Sequence, residues 1–405
     1  MSITYLLIFV FKFNSFSQLV ISNTDTFLLR ILNTGDTAIN ELLSNQSKYQ
    51  FQLIYNSVSR KNKKIIFKEH SLNDNKFYYN PASVVKLPLL LLALEKLTSL
   101  KDKGIDLDTK IGIHTCSCDF DTDRYVSKSK SPTFRQFLRE LIIMSDNDAY
   151  NLLVDFVGYD YFNKRFRELG YDGILMRKRF TSKCTVEQNK WFGGLFFYDS
   201  LSNQLYEQDC DTSKQVYAID TTKYVLSAGT SYLENGILVK GPKDFSNNNY
   251  LNFYQMNQFF KELFNHEKFN TNFKIDSNFK KDFFDALKDY PSSLLNSSYE
   301  LIDVPDWYYK FFIDSSVMDT RNTEFKIYNK VGMAGGFISD FSHVVDDSNG
   351  IEYYLSATML AKKDDIINNG NHNYHDFGIP AFRKIGALIY KYELDVKSYQ
   401  KKQHK

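Results

Sequence analysis

With 405 residues the chain can bury a full hydrophobic core, as one large domain or two smaller ones. Its hydrophobic content of 43% and charged content of 24% exclude a disordered or fibrous protein. A formal net charge of +2 gives no electrostatic drive toward nucleic acid, and the basic stretches at Arg60–Lys64 and in the C-terminal tail read as solvated surface.

The N-terminus opens on an apolar run, Ile3 to Phe11, followed by small residues at Ser15 and Ser17. The pattern predicts a signal peptide over residues 1–17 and export to the periplasm or exterior, although the usual positive charge ahead of the run is missing. The run is too short to span a bilayer, and no cysteine follows it to carry a lipid. Next, Thr37 to Leu43 is predicted as a helix capped by Asp36. Tyr49, Phe51, Leu53 and Tyr55 alternate with mostly polar neighbours, as in a half-buried strand, and Ile65 to Phe67 supplies a partner.

From Asn80 to Leu97 the sequence NPASVVKLPLLLLALEKL predicts a helix starting near Ser83 and apolar on nearly every side. Such a helix is a core element, and its apolar stretch is far shorter than the ~20 residues of a membrane span. Pro88 lacks an N–H and crowds the Val84 carbonyl, which predicts a strained first turn. Helical patterns follow at Thr133–Met144, Ala149–Val157, Tyr161–Leu169, Asn252–Phe264 and Phe279–Lys288. Trp191 to Asn248 has no clear period. Strands return at Glu324–Met333 and Ile351–Leu360, with a turn at Asp346–Gly350 between them, and Phe382, Ile385, Ile389 and Tyr392 mark a last amphipathic helix. The simplest arrangement is α/β (α+β): an antiparallel sheet built from both chain ends and flanked by terminal helices, with a helical region inserted. The expected domain is 18–405, with a sheet part at about 25–80 and 320–395 and a helical part at about 81–319. An extra segment lies around 191–300.

Four cysteines, Cys116, Cys118, Cys184 and Cys210, permit two disulfides in an exported chain, with three possible pairings. His114, Cys116 and Cys118 could begin a zinc site, but no second half follows. His372, His375 and Asp376 sit in an Asn-rich stretch and read as a solvated turn. No metal and no cofactor is expected.

Three short motifs carry chemistry. Ser83 and Lys86 lie three residues apart on one helical face, where the leucine run behind them would desolvate the ammonium and lower its pKa. A neutral lysine beside a serine is a general base. The same spacing at Ser127/Lys130, Ser277/Lys280 and Ser398/Lys401 lacks that buried helix. Ser145-Asp146-Asn147 stands between two helices and, taken singly, is a turn with an N-cap. Lys330-Val331-Gly332 ends a strand.

In this order and context the motifs resemble the serine β-lactamase and penicillin-binding protein superfamily, most closely the class A β-lactamases, whose signatures are S-x-x-K, S-D-N and K-T-G. The resemblance runs from about Tyr49 to Tyr392. It implies an exported serine hydrolase with a β-lactamase-like fold, acting on a β-lactam or a peptidoglycan-derived peptide, with no nucleic acid and no stable membrane span. Ser83 would form the acyl-enzyme, Lys86 would take its proton, and Ser145 would pass a proton to the leaving nitrogen. Asn147 would bind the substrate amide and Lys330 its carboxylate. The N–H groups of Ser83 and of Met333, just after Gly332, would form the oxyanion hole.

Three departures matter. Val331 replaces the hydroxyl of K-T-G, and the spacing from Asn147 to Lys330 is long. The glutamate that activates the deacylating water in class A has no counterpart, since the only carboxylate in Leu175–Asn189 is Glu187, which reads as a surface residue. Acylation is therefore better supported than turnover. The alternatives are a peptidoglycan-directed peptidase or amidase, or other serine acyl hydrolase, and a penicillin-recognising sensor that acylates and stalls.

Overall fold

The computed structural model describes residues 25–61, 64–114, 132–180, 184–294 and 305–403. The expected signal peptide, Cys116 and Cys118 lie outside these residues. Five antiparallel strands form the main sheet: β1 (Gln52–Lys61), β2 (Lys64–Leu72), β3 (Phe325–Ala334), β4 (Phe337–Asp346) and β5 (Ile351–Leu360). Their spatial order is β3-β4-β5-β1-β2, so the two ends of the chain meet where β1 pairs with β5. The α+β arrangement expected from the sequence is the one observed.

One face of the sheet packs on helices α1 (Thr26–Leu32) and α2 (Thr37–Ser44) and on the C-terminal helix Ile379–Gln403. Asp25 and Asp36 cap α1 and α2 by accepting from backbone N–H groups of the first turn. Tyr55, Tyr353 and Leu355 from the sheet meet Leu28, Ile39, Phe382 and Ile385 in this core. A second core covers the opposite face and is centred on α3 (Lys86–Thr98). Since both faces are covered, β1 is buried on both: Gln52, Ile54 and Asn56 are as inaccessible as Tyr55, where alternation had predicted a half-buried strand. Gln52 donates to Phe77 O and Asn56 Oδ1 accepts from Lys261, while Asn56 Nδ2 is buried without a hydrogen-bond partner among the described residues.

Strand β4 is a correction, because its residues were not read as strand. Half of them are polar, yet Ser339, Asp340, Ser342, His343 and Asp346 are all buried in the middle of the sheet. The helices α4 (Phe134–Arg139), α5 (Asn147–Val157), Tyr159–Glu168, Phe253–Leu263 and Ser277–Lys288 fall near their expected places, and a short helix at His266–Asn272 was not expected. The region from Trp191 to Asn248 consists of short strand pairs, among them Gly194–Tyr198 laid against Lys110–His114 and Gln204–Gln208. No helix among the described residues is long and apolar enough to cross a membrane.

Candidate active site

Three elements converge where α3 begins. Pro88 is the third residue of α3, so its missing N–H is one that no helix carbonyl needs. A single 3-10 turn, Ala82–Val85, precedes the helix and carries Ser83. The backbone strain expected at Pro88 appears instead at Ala82, whose φ is +43°. Ser83 is partly accessible between buried Ala82 and Val84, and its hydroxyl makes no side-chain hydrogen bond to another described residue. Lys86, one turn on, is completely buried.

The Ser145-Asp146-Asn147 turn sits opposite. Helix α4 ends in a π-turn, Glu140–Met144, and Ser145 then adopts a left-handed conformation with φ 56° and ψ 39°. A π-turn followed by a left-handed serine is a costly local geometry of the kind found at functional sites. Asp146 does what a capping aspartate does, accepting from Ala149 N–H at 2.7 Å at the start of α5. Ser145 and Asn147, on either side of it, point at Lys86. Lys86 Nζ donates to Ser145 O at 2.5 Å, to Asn147 Oδ1 at 2.7 Å and to Ser145 Oγ at 3.3 Å.

Strand β3 forms the third side. Lys330 Nζ donates to Ser145 Oγ at 2.9 Å, so this hydroxyl lies between two lysines. Burial lowers the Lys86 pKa well below its ordinary value, and the neighbouring Lys330 lowers it further. Lys330 is pushed down to about 7 by burial, against the pull of Asp340. Gly332 allows the close approach: a Cβ there would lie 2.5 Å from Pro81 O and 2.8 Å from Ser339 Oγ. The hairpin from β3 to β4 is the two-residue turn Gly335-Gly336, positive in φ at both positions, so Ala334 and Phe337 form its hydrogen-bonded closing pair. Pairing alternates from there, which turns the Met333 N–H toward the free side of β3, the edge of the sheet. All seven residues singled out in the sequence, Ser83, Lys86, Ser145, Asn147, Lys330, Gly332 and Met333, thus lie on three adjoining elements.

The "Beta-lactamase enzyme family" model matches residues 36–213. A variant of the TLA-1 extended-spectrum β-lactamase superposes with a TM-score of 0.52 at 12% identity, covering 91% of this chain and 99% of that one. The fold is that of the serine β-lactamases. A β-lactamase from Burkholderia vietnamiensis gives 0.46 at 10% identity over 89% of this chain and 97% of its own. A class A β-lactamase from Mycobacterium abscessus gives 0.45 at 14% identity over 88% and 98%. No curated protein sequence matches the chain. The superfamily resemblance drawn from three motifs agrees with the family match and the fold.

Within this β-lactamase fold the departures acquire physical form. Val331 is buried in the core beneath the terminal helices, on the sheet face opposite Lys330, so its side chain does not face the site. Glu187 is an exposed surface residue paired with Lys190 at 2.7 Å, as expected. The rings of Phe180 and Tyr150 stand 5.4 Å and 6.0 Å from Lys86 Nζ, and no carboxylate hydrogen-bonds that lysine among the described residues. Phe180 is held at both ends by Asn151, which accepts from its N–H at 2.9 Å and donates to its carbonyl at 2.8 Å.

Behind Lys330 lies a buried polar network that no motif announced. Asp340 accepts from Phe311 N–H, Asn329 Nδ2 and Ser342 Oγ, and burial raises its pKa to about 6. Lys310 Nζ donates to Leu287 O, Ile327 O and Asn329 Oδ1. Among the described residues no group of three His, Cys, Asp or Glu side chains is placed to hold a metal ion. His114 is described, but the cysteines that would join it in a zinc site are not. Cys184 and Cys210 are each disulfide-bonded.

Proposed function

We propose that this β-lactamase-like serine hydrolase is exported and opens β-lactams through a Ser83 acyl-enzyme. The observation that carries the reading is the position of Ser145 Oγ, within hydrogen-bond reach of both Lys86 and Lys330. A neutral Lys86 takes the Ser83 hydroxyl proton while the oxygen attacks the lactam carbonyl. The N–H groups of Ser83 and Met333 stabilise the oxyanion, a contribution of about 2.7–4 kcal/mol per donor. The C–N bond then breaks, the nitrogen takes the Ser145 proton, and Lys86 or Lys330 restores it. Asn147 Oδ1 accepts from Lys86, which leaves Nδ2 to donate to the substrate amide. Lys330, as an ammonium, draws the substrate carboxylate.

A second reading is favoured by Phe180 and Tyr150 beside Lys86. With no carboxylate hydrogen-bonded to Lys86 among the described residues to activate water, the acyl-enzyme persists, and the protein acts as a penicillin-recognising sensor or a slow peptidoglycan-directed peptidase. Intact-mass time courses with a penicillin and a cephalosporin, run beside lactam absorbance on wild type and Ser83→Ala, separate the two. A transient adduct with continuing lactam loss, both absent in Ser83→Ala, is the expected result for a β-lactamase. A persistent adduct supports the sensor, and no adduct on wild type overturns both lactam readings.

A further inference from the structure

Phe180 belongs to two places at once, facing Lys86 on one side and lining a separate cavity of about 620 Å³ on the other. The charged groups of that cavity are Arg177, Lys178, Arg179 and Lys190, and no carboxylate lines it among the described residues. Two of the four are already neutralised, Arg179 by buried Asp155 and Lys190 by Glu187.

Arg177 and Lys178 form no ion pair among the described residues. Arg177 donates through Nη1 to Ser246 O, while its Nε is buried with no hydrogen-bond partner among the described residues. Lys178 Nζ donates to Asn248 Oδ1 at 2.6 Å. Both cations are only partly accessible, and burial lowers the pKa of each, helped by a further cation, Arg167 for Arg177 and Lys243 for Lys178. Adjacent cations without an ion-pair partner in a partly dry wall are unfavourable until an oxyanion joins them. A carboxylate matches the guanidinium fork and the ammonium together. The wall is also tied to the reacting groups, since Lys178 O accepts from the hydroxyl of Tyr150, whose ring faces Lys86.

We propose that this cavity is an anion subsite that receives a carboxylate carried on the acyl side chain of the substrate that acylates Ser83. The inference rests on the acyl-hydrolase reading and narrows its substrate class to acyl donors with a second negative charge, beyond the one bound by Lys330.

The test compares benzylpenicillin with its α-carboxy derivative, which differ in that one carboxylate group. The second-order rate of Ser83 acylation is read by intact mass on wild type, Arg177→Met and Lys178→Met. The α-carboxy compound acylates wild type about tenfold faster, and in each variant the ratio falls toward one while the benzylpenicillin rate holds. A wild-type ratio of one or less, or a ratio preserved in both variants, overturns the subsite. A second arm needs no acylation: calorimetric titration of phenylmalonate into Ser83→Ala, alone and combined with Lys178→Met. Binding that disappears with Lys178→Met upholds the subsite, and binding equal in both proteins, or none in either, overturns it. If neither penicillin acylates while phenylmalonate binding depends on Lys178, the Ser83 reading falls and the anion subsite stands.

Discussion

Lys330 shows at one residue how the site uses burial. Its folded pKa is near 7, while an unfolded lysine titrates at about 10.4, so the ammonium is disfavoured by folding. The sign follows directly: between about pH 7 and 10 the unfolded chain binds a proton that the native chain does not, and this group makes the protein more stable as pH rises. Lys330→Met is therefore expected to be more stable than wild type below pH 7, with the gap closing toward pH 10. Chemical denaturation of both proteins across that range checks it, and a gap independent of pH would show that the ammonium carries no burial cost. Acylation has the opposite trend. Wild-type rates with a carboxylate-bearing lactam should fall as pH rises through about 7, and Lys330→Met should be slow throughout and lack that limb. The motif made this lysine legible in the sequence, but its pKa was not, because Asp340 and Lys310 reach it only through the folded sheet.

At the scale of elements, the site exists because β3 can press against the 3-10 turn of Ser83, and Gly332 is the point of contact. Gly332→Ala brings a methyl against Pro81 O and Ser339 Oγ, both backed by buried structure, and overpacking of this kind costs about 1–3 kcal/mol. The same shift displaces the Met333 N–H, so acylation should fall by more than the stability loss accounts for. Thermal melting and acylation rates measured together test this, with Met333→Leu as the control that keeps the N–H. Rates that simply track the folded fraction would remove Met333 from the oxyanion role. The motif strand β3 was visible from Lys330-Val331-Gly332, whereas its neighbour β4 was not. Phe337–Asp346 contains as many polar as apolar residues, and the period-2 pattern of a half-exposed strand is absent because both faces are covered. Ser342 donates to Asp340 and His343 Nε2 pairs with Glu352, partners that local sequence cannot reveal, while Ser339 Oγ is buried without a hydrogen-bond partner among the described residues.

Across the whole molecule, the three sequence motifs meet in one candidate site, and the long helical part sets what surrounds it. The segment after the Ser145 turn was legible only as lacking the expected glutamate. Phe180, whose ring stands near Lys86, is held by Asn151, and the residue next to it is fixed by a buried ion pair. Arg179 donates to Asp155 near the end of α5 and to Trp191 O at 2.7 Å, and Asp155 also accepts from Gly193 N–H at 2.7 Å. One contact thus joins α5, the loop bearing Phe180 and the first strands of the Trp191–Asn248 region. Both residues are over nine-tenths buried, so removing one partner strands the other, at a cost of about 3–5 kcal/mol. Asp155→Leu and Arg179→Met should each be strongly destabilised, whereas the double variant, with both charges gone, should recover most of the loss. Its expected defect is functional: Phe180 keeps its Asn151 contacts but loses the clasp beside it, and the lifetime of the Ser83 adduct changes while melting stays near wild type. A double-mutant cycle in denaturant, read beside adduct lifetime by intact mass, decides the matter. Additive stability losses would mean that the pair is not coupled, and an unchanged lifetime in a stable double variant would mean that the clasp holds the fold without setting the position of Phe180.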